Sequence, residues 1–224
     1  MQRTIPSTIL FVNGAFQKTH LVCPEALALK ADITSVSRCG DLSKGIESQA
    51  DALLSSILAM EKPVAVIGHS LGALVAYRAH QLAPKGTIVR TALINCGSIG
   101  EPMPTSMDFF FNPLKAFGIV MDMMYHPESP QAIYEATGGI VRIGKRTSDL
   151  VMLAGTNDRL IPSNISQRVA QRIGARLIFI KGGHNLLQDD STGELLNVIV
   201  NWFRTGKGLR KLRSVQLDNE LETA

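Results

Sequence analysis

The sequence is poor in cysteine and has no long apolar run, and both absences exclude whole classes of protein. Cys23, Cys39 and Cys96 are far apart and form no C-x-x-C pair and no Cys/His metal-ligand spacing. They indicate reduced thiols rather than a disulfide framework or a zinc site, which favours a cytoplasmic location. Nowhere do about 18 apolar residues follow one another, so we expect no stable membrane insertion.

We also expect no leader peptide, and the net charge of the sequence is modest. The N-terminal stretch "MQRTIPSTILFV" turns directly into a strand-like run, which is too short for the apolar region of a secretion signal. Much of the net charge of +4 comes from "RTGKGLRKLR", at the start of a tail over residues 205–224. We expect this tail to be basic and flexible, with contact to an acidic surface or nucleic acid as the alternative. Because no nucleic-acid motif occurs elsewhere, no nucleic-acid partner is expected.

Six strand-like apolar runs alternate with helical patterns along the chain. The runs lack strict polar and apolar alternation, which is typical of strands buried on both faces of a parallel sheet. They cover residues 8–12, 31–37, 63–68, 87–95, 149–155 and 175–182. The helical patterns cover residues 46–60, 71–83, 163–173, with Ser163 as the expected N-cap, and 191–204. This order predicts an α/β doubly wound domain that binds ligands beyond the carboxyl ends of its strands.

Residues 99–148 interrupt this alternation and contain no clear strand. Because a compact domain rarely carries so long an unstructured loop, the segment predicts a small helical cap between core segments 1–98 and 149–204. It holds five of the eight methionines and a run of three phenylalanines. Such residues form the cap's own core or line an adaptable apolar substrate pocket, and the two alternatives are compatible. The candidates for the pocket are Phe109, Phe110, Met121 and Met124.

The pentapeptide "GHSLG" contains the candidate nucleophile, Ser70. A strand-like run ends at Gly68 and a helical pattern follows Ser70, which is the context in which G-x-S-x-G exposes a serine on a sharp, strained turn. Side chains at Gly68 and Gly72 would collide with the neighbouring strand and helix. The alternative is a plain strand-to-helix turn in which Ser70 caps the helix.

A nucleophilic serine needs a histidine within hydrogen-bond reach to take its proton. In "RLIFIKGGHNLL", His184 lies just past the last strand, behind a Gly-Gly pair that lets the loop bend back over the sheet. His184 is therefore the candidate base. His69 adjoins Ser70, but its side chain must point elsewhere at a sharp turn, so we expect a structural role and include it only as a candidate substrate contact.

The carboxylate that orients the histidine is predicted from "DLVMLAGTNDRLIP". Asp158 follows the end of a strand by three residues, in a turn closed by Pro162. An ordinary turn aspartate is the alternative, while Asp189 and Asp190 face the start of a helix and more naturally cap it. The chain order nucleophile, acid, base is known from one hydrolase architecture.

Together these motifs resemble the α/β-hydrolase fold family over residues 8–204. The matching segments are "LFVNGAF", "SVSRCGDLSKG", "IGHSLG", "AGTNDRLIP" and "IKGGHNLL". The resemblance implies triad roles for Ser70, His184 and Asp158, and it implies no metal or organic cofactor. It also implies a mostly parallel sheet flanked by helices. Because the chain begins shortly before its first strand, we expect about six strands and an edge that is exposed or covered in a homodimer.

The resemblance further implies an oxyanion hole made of two backbone N–H groups. One belongs to Leu71, directly after the nucleophile. The other comes from the loop after the first strand, with Ala15 as the first candidate and Phe16 as the second. Asn13 stands where the family often has histidine, and this loop is similar to the V-N-G-[AS] loop of some bacterial acyltransferases that act on hydroxyacyl chains, so Asn13 is a candidate substrate contact.

The sequence therefore predicts a serine hydrolase that cleaves an ester or thioester of an apolar acyl group. An acyltransferase or thioesterase is the first alternative, and its acyl carrier protein would dock on the basic surface. The second alternative is a non-catalytic binding protein with the same fold. Loss of one triad residue is the usual sign of such a protein, and all three are present in this sequence.

Overall fold

A parallel six-stranded sheet is the centre of the structure. The computed structural model describes residues 6, 8–14, 33–36, 44–103, 129–144, 149–187, 192–207 and 209. The strands are β1 (Thr8–Val12), β2 (Ile33–Val36), β3 (Val64–His69), β4 (Ile88–Ile94), β5 (Leu150–Gly155) and β6 (Arg176–Ile180). All five neighbouring pairs are parallel, in the order β2-β1-β3-β4-β5-β6. The order reverses between β1 and β3, where open parallel sheets form a crevice at their carboxyl edge.

From β2 onward, a helix lies between each strand and the next in the described part of the chain, as the alternating pattern predicts. They are α1 (Ile46–Leu58), α2 (Leu71–Leu82), α3 (Pro130–Thr137), α4 (Ser163–Ile173) and α5 (Thr192–Thr205). The predicted α/β class is therefore confirmed, and the predicted strands and helices begin and end within two residues of the observed ones. In the described part of the chain, no helix is long and apolar enough to span a membrane.

The predicted capping role of Ser163 is wrong. The N-cap residue of α4 is Pro162, and Ser163 is already the first helical residue, without a side-chain capping bond at this terminus. The proline has φ −56° and an extended ψ of 148°. Because the ring fixes φ near the helical value, the chain enters the helix one residue earlier than a serine cap would allow.

Each face of the sheet has its own apolar core. Along β3, Val64 and Val66 lie in one core and Ala65 and Ile67 in the other, as the two-residue repeat of a strand requires. Buried residues of α1, α2 and α4 complete the first core, while α5 completes the second. The central strands are therefore covered on both sides, and their carboxyl ends remain to form a site.

The division into core and cap stays a prediction. Of residues 99–148, the structure describes 99–103 and 129–144. The helix α3 lies in this segment, and its Ala132 is fully buried against the first core. The predicted pocket residues Phe109, Phe110, Met121 and Met124 lie outside the described residues, as does most of the tail 205–224.

Candidate active site

Ser70 lies on a strained turn between β3 and α2. Its backbone has φ 52° and ψ −121°, a left-handed conformation that non-glycine residues rarely adopt and that costs about 1–3 kcal/mol. The Ser70 N–H donates to the carbonyl of Ile94 at the end of β4, at 2.9 Å. The turn is thus held by the neighbouring strand, which keeps the serine at the carboxyl edge of the sheet.

The two glycines of "GHSLG" are required by close backbone contacts. A Cβ atom on Gly68 would lie 2.6 Å from the Ala73 Cα atom of the following helix. A Cβ atom on Gly72 would lie 2.2 Å from the Asn13 carbonyl oxygen and 2.3 Å from that of Val12. The collisions expected from the sequence are therefore present at both positions, and α2 can pack against β1 only because residue 72 has no side chain.

The side chains of Ser70, His184 and Asp158 form a chain of hydrogen bonds. The distance from Ser70 Oγ to His184 Nε2 is 3.0 Å, and that from His184 Nδ1 to Asp158 Oδ2 is 2.9 Å. A carboxylate oxygen accepts, so Nδ1 donates to Asp158, and in the neutral ring Nε2 is left to accept from the Ser70 hydroxyl. This geometry can move a proton from the serine to the histidine.

Asp158 is held in place by its own turn. Its Oδ1 atom accepts hydrogen bonds from the N–H groups of Leu160 and Ile161, at 2.8 and 2.9 Å. The side chain is 1% exposed, compared with 17% for His184. With one oxygen bound to the backbone, the other is directed at the imidazole, so the carboxylate can fix the orientation of the ring.

The loop that carries His184 follows β6 and lies along the turn after β5. The N–H groups of Thr156 and Asn157 donate to the carbonyls of Ile180 and Gly182, each at 2.9 Å. Of the Gly-Gly pair, only Gly182 has a positive φ, at 154°, and a Cβ atom on Gly183 would meet nothing within 4 Å. The loop therefore requires glycine at one of the two positions.

The sequence comparison identifies the family. The family described as "Alpha/beta hydrolase family" matches residues 9–198. The chain belongs to the alpha/beta hydrolase family. No curated protein matches this chain in sequence.

Solved structures share the fold of this alpha/beta hydrolase at low sequence identity. A type II thioesterase from the borrelidin biosynthetic cluster is 17% identical, with a TM-score of 0.68 over 89% of this chain and 92% of that chain. A type II thioesterase of the yersiniabactin pathway is 15% identical, with a TM-score of 0.65 over 91% and 94%. A monoacylglycerol lipase from Paleococcus ferrophilus is 14% identical, with a TM-score of 0.63 over 91% and 97%.

The predicted oxyanion hole of this alpha/beta hydrolase is described only in part. Leu71 is the first residue of α2, where backbone N–H groups have no acceptor within the helix. Ala15 and Phe16 lie outside the described residues. Asn13 follows β1 beside the Ser70 turn and is 3% exposed, and neither polar atom of its side chain has a hydrogen-bond partner in the described structure.

His69 packs behind the proposed catalytic histidine. Its ring is 2% exposed and lies 5.1 Å from the ring of His184, measured between centroids. Burial, with a smaller contribution from His184, lowers the pKa of His69 to about 4, so the ring is neutral near pH 7. Its Nε2 atom lies 2.9 Å from the His184 carbonyl oxygen. This contact agrees with the structural role expected from the sequence.

Sequence reasoning missed Asn95, which directly follows β4. The residue is fully buried and has φ 45°. Its side-chain nitrogen donates to the carbonyls of Gly183 and His184 at 3.1 and 2.5 Å, and its side-chain oxygen accepts from the Gly155 N–H at 2.7 Å. A polar residue at the carboxyl end of a central parallel strand was the available signal, because the other site residues follow strands in the same way.

Proposed function

We propose that this alpha/beta hydrolase cleaves a carboxylic ester or thioester of an apolar acyl group through an acyl-enzyme on Ser70. The continuous hydrogen-bond chain from Ser70 through His184 to Asp158 is the observation that carries the proposal. The backbone strain at Ser70 supports it, since such strain is concentrated at functional sites. Thioesterases and a lipase among the similar structures support the same class of reaction.

In the acylation step, Ser70 Oγ attacks the acyl carbonyl carbon. His184 Nε2 takes the serine proton, and the Asp158 carboxylate stabilises the imidazolium and keeps the ring oriented. The tetrahedral intermediate carries its negative charge on the former carbonyl oxygen. When this intermediate collapses, the alcohol or thiol leaves with the proton from His184, and the acyl group stays on Ser70.

The oxyanion would be stabilised by backbone N–H groups. Leu71 provides one, and Ala15 or Phe16 provides the other. A single donor of this kind contributes about 3 kcal/mol to lowering the barrier in a related reaction. Water then attacks the acyl-enzyme with His184 as the base, and the carboxylic acid is released.

An apolar acyl group is proposed because residues 99–148 are rich in methionine and phenylalanine. Phe109, Phe110, Met121 and Met124 are proposed to line its pocket, because flexible methionine and aromatic side chains suit irregular apolar ligands. The proposal includes Asn13 as a polar substrate contact near the carbonyl.

A carrier-bound acyl thioester is the second candidate substrate, hydrolysed or transferred to another acceptor. Two of the similar structures are type II thioesterases from biosynthetic clusters or pathways, and this chain has a net charge of +4 that would attract an acidic carrier protein. Faster turnover of an acyl group on its carrier than of the same acyl group on a small thiol would favour this candidate.

The proposal is tested by nitrophenol release from p-nitrophenyl esters of increasing acyl length. We expect turnover by the wild type, an optimum at one acyl length, and a loss of at least about 1,000-fold in Ser70→Ala. Ser56→Ala is the matched control, because Ser56 is exposed on α1, and it should retain full activity. Wild-type protein without turnover of any ester or thioester would instead support the non-catalytic binding alternative.

A further inference from the structure

Two buried side chains outside the proposed triad converge on the backbone carbonyl of His184. His69 Nε2 lies 2.9 Å from this oxygen, and Asn95 Nδ2 lies 2.5 Å from it. The two residues are neighbours across adjacent strands, because His69 ends β3 and pairs with Ile94, the residue before Asn95 at the end of β4. The base is thus held from behind by two donors, while its imidazole faces Ser70 and Asp158.

Asn95 also joins the segment of the acid to the segment of the base. Its side-chain oxygen accepts from Gly155 at the end of β5, and its side-chain nitrogen donates to both Gly183 and His184. The Asn95 amide oxygen is therefore bound to the strand that leads to Asp158, and the amide nitrogen is bound to the loop that carries His184. Fully buried, it is shielded from competition with water.

The loop needs such support because the two residues before His184 are glycines. Glycine loses more backbone freedom on ordering than any other residue and has no side chain to pack. In the described structure, the carbonyls of residues 180, 182, 183 and 184 each accept a hydrogen bond from the β5 turn, Asn95 or His69. The position of the imidazole therefore depends on backbone hydrogen bonds.

We propose that His69 and Asn95 are positioning residues that hold the His184 carbonyl and thereby keep the imidazole within proton-transfer distance of Ser70. This inference rests on the proposed function, in which His184 is the base. Neither residue touches the reacting atoms, so each acts on the rate only through the placement of His184. A displacement of about 1 Å in such a group can cost about 100-fold in rate.

The contact makes a prediction about the wild-type protein itself. A carbonyl oxygen only accepts, so His69 must carry its proton on Nε2, whereas His184, which donates to Asp158, must carry its proton on Nδ1. Long-range ¹H–¹⁵N correlation spectra of protein labelled with ¹⁵N-histidine distinguish these tautomers, and the signals lost in His69→Gln identify residue 69. A His69 ring protonated on Nδ1 and bare on Nε2 would overturn the inference.

Kinetics separate positioning from general stability. His69→Phe keeps a ring without a donor, while His69→Gln keeps a side-chain N–H that can reach the carbonyl. We expect kcat for a p-nitrophenyl ester to fall ~30- to 100-fold in His69→Phe and less than ~5-fold in His69→Gln, with KM within ~2-fold in both. His80→Phe is the matched control. It makes the same substitution and also removes a hydrogen bond of a histidine ring, that of His80 Nδ1 with Thr91 at 2.8 Å, but this bond does not involve the loop of His184.

Asn95→Asp provides a second variant of nearly unchanged shape. The substitution replaces a donor with an acceptor that faces two carbonyl oxygens, so we expect the same loss of kcat at constant KM as in His69→Phe. Folded His69→Phe and Asn95→Asp proteins with the kcat of His80→Phe would refute the positioning role. If His69→Phe does not fold, Asn95→Asp and the tautomer of wild-type His69 decide the question.

These outcomes are distinct from failure of the proposed function. Wild-type protein that neither hydrolyses any ester or thioester nor reacts at Ser70 with a fluorophosphonate would refute the function and, with it, the catalytic part of this inference. Wild-type protein that is active, beside His69 and Asn95 variants that are equally active, would refute the positioning role alone.

Discussion

At the scale of single residues, the same backbone device occurs twice at the carboxyl edge of the sheet. Ser70 after β3 and Asn95 after β4 both have positive φ values, of 52° and 45°. Each N–H donates to the last part of the next strand, Ser70 to Ile94 and Asn95 to Leu153. Both side chains then bond to His184, one at the imidazole and one at the carbonyl. Of the three described non-glycine residues with positive φ, Ser70 and Asn95 therefore contact the proposed base, and Glu61 follows α1 away from the site.

Substitution of Gly72 should disrupt this edge. Alanine in a helix is favoured over glycine by about 1 kcal/mol, but a Cβ atom 2.2 Å from a backbone oxygen forces α2 away from β1. We expect Gly72→Ala to lower the free energy of unfolding by at least ~2 kcal/mol and to abolish ester turnover.

Gly183→Ala is the control for this substitution, since its Cβ atom would meet nothing within 4 Å. Urea unfolding of both variants measures the difference. Equal stability of Gly72→Ala and the wild type would contradict the close approach of α2 to β1.

The buried His69 should make the fold sensitive to acid. Its pKa is lowered from 6.5 to about 4, chiefly by burial, so the unfolded chain binds a proton in this pH range that the folded protein does not. The stability is complete above pH 6.5 and is lost as the pH falls toward 4. The loss assigned to this residue is about 3 kcal/mol.

His69→Gln removes this titration, so urea unfolding of both proteins across that pH range tests it. The wild type should lose more stability than the variant. His80, whose pKa burial also lowers, is common to both proteins and cancels in the comparison. Parallel pH profiles for the two proteins would show that His69 does not titrate on unfolding.

At the scale of elements, a side chain of α3 provides the N-terminal capping hydrogen bond that α1 cannot make for itself. The N-cap residue of α1 is Gly45, which has no side chain to accept a hydrogen bond. The Glu135 carboxylate of α3 instead accepts from the Ile46 N–H, at 2.6 Å. A negative charge at a helix N-terminus is also favoured by the helix dipole. The segment 99–148, which the sequence predicts to be a separate helical cap, is thus joined to the core by this hydrogen bond.

Removal of this carboxylate should destabilise the protein modestly. We expect Glu135→Ala to lower the free energy of unfolding by about 0.5–2 kcal/mol, the usual cost of losing an N-cap. Asp51→Ala is the control, because Asp51 is exposed within α1, and it should cause no comparable loss. Urea unfolding measures both. A Glu135→Ala protein as stable as Asp51→Ala would show that water replaces the cap without cost.

At the scale of the whole molecule, parallel strand order brings distant segments to one edge. Ser70, Asp158 and His184 follow β3, β5 and β6, and Asn95 follows β4 between them. The carboxyl ends of parallel strands lie at the same edge, so residues far apart in the chain meet there. The location in the cell and the homodimer stay predictions, since neither follows from this arrangement.

The positive net charge leads to a prediction about salt if a carrier protein brings the substrate. Attraction between a protein of net charge +4 and an acidic carrier is screened by ions. We expect kcat/KM for a carrier-bound thioester to fall at least ~10-fold from about 50 mM to about 500 mM NaCl. A neutral p-nitrophenyl ester is the control and should change less than ~2-fold. Salt-independent turnover of the carrier-bound thioester would count against electrostatic docking.

The sequence by itself determined the elements and the placing of the three proposed triad residues. Continuous apolar runs and helical periodicity are local properties, so they located β1 to β6 and four of the five helices that the structure describes. Motifs at strand ends then placed Ser70, Asp158 and His184 at one edge of the sheet. In the structure the three side chains are joined there by two hydrogen bonds.

Only the tertiary structure decided which backbone groups of distant segments meet. The contacts of His69 and Asn95 with the His184 carbonyl, and of Glu135 with the Ile46 N–H of α1, join residues at least 89 positions apart. In each contact one partner is a backbone group, which every residue carries apart from the missing N–H of proline. Such contacts depend on the packing of whole elements against one another. No local pattern of side chains encodes them, which is the physical reason that the sequence predicted the proposed triad but not the groups that hold its histidine.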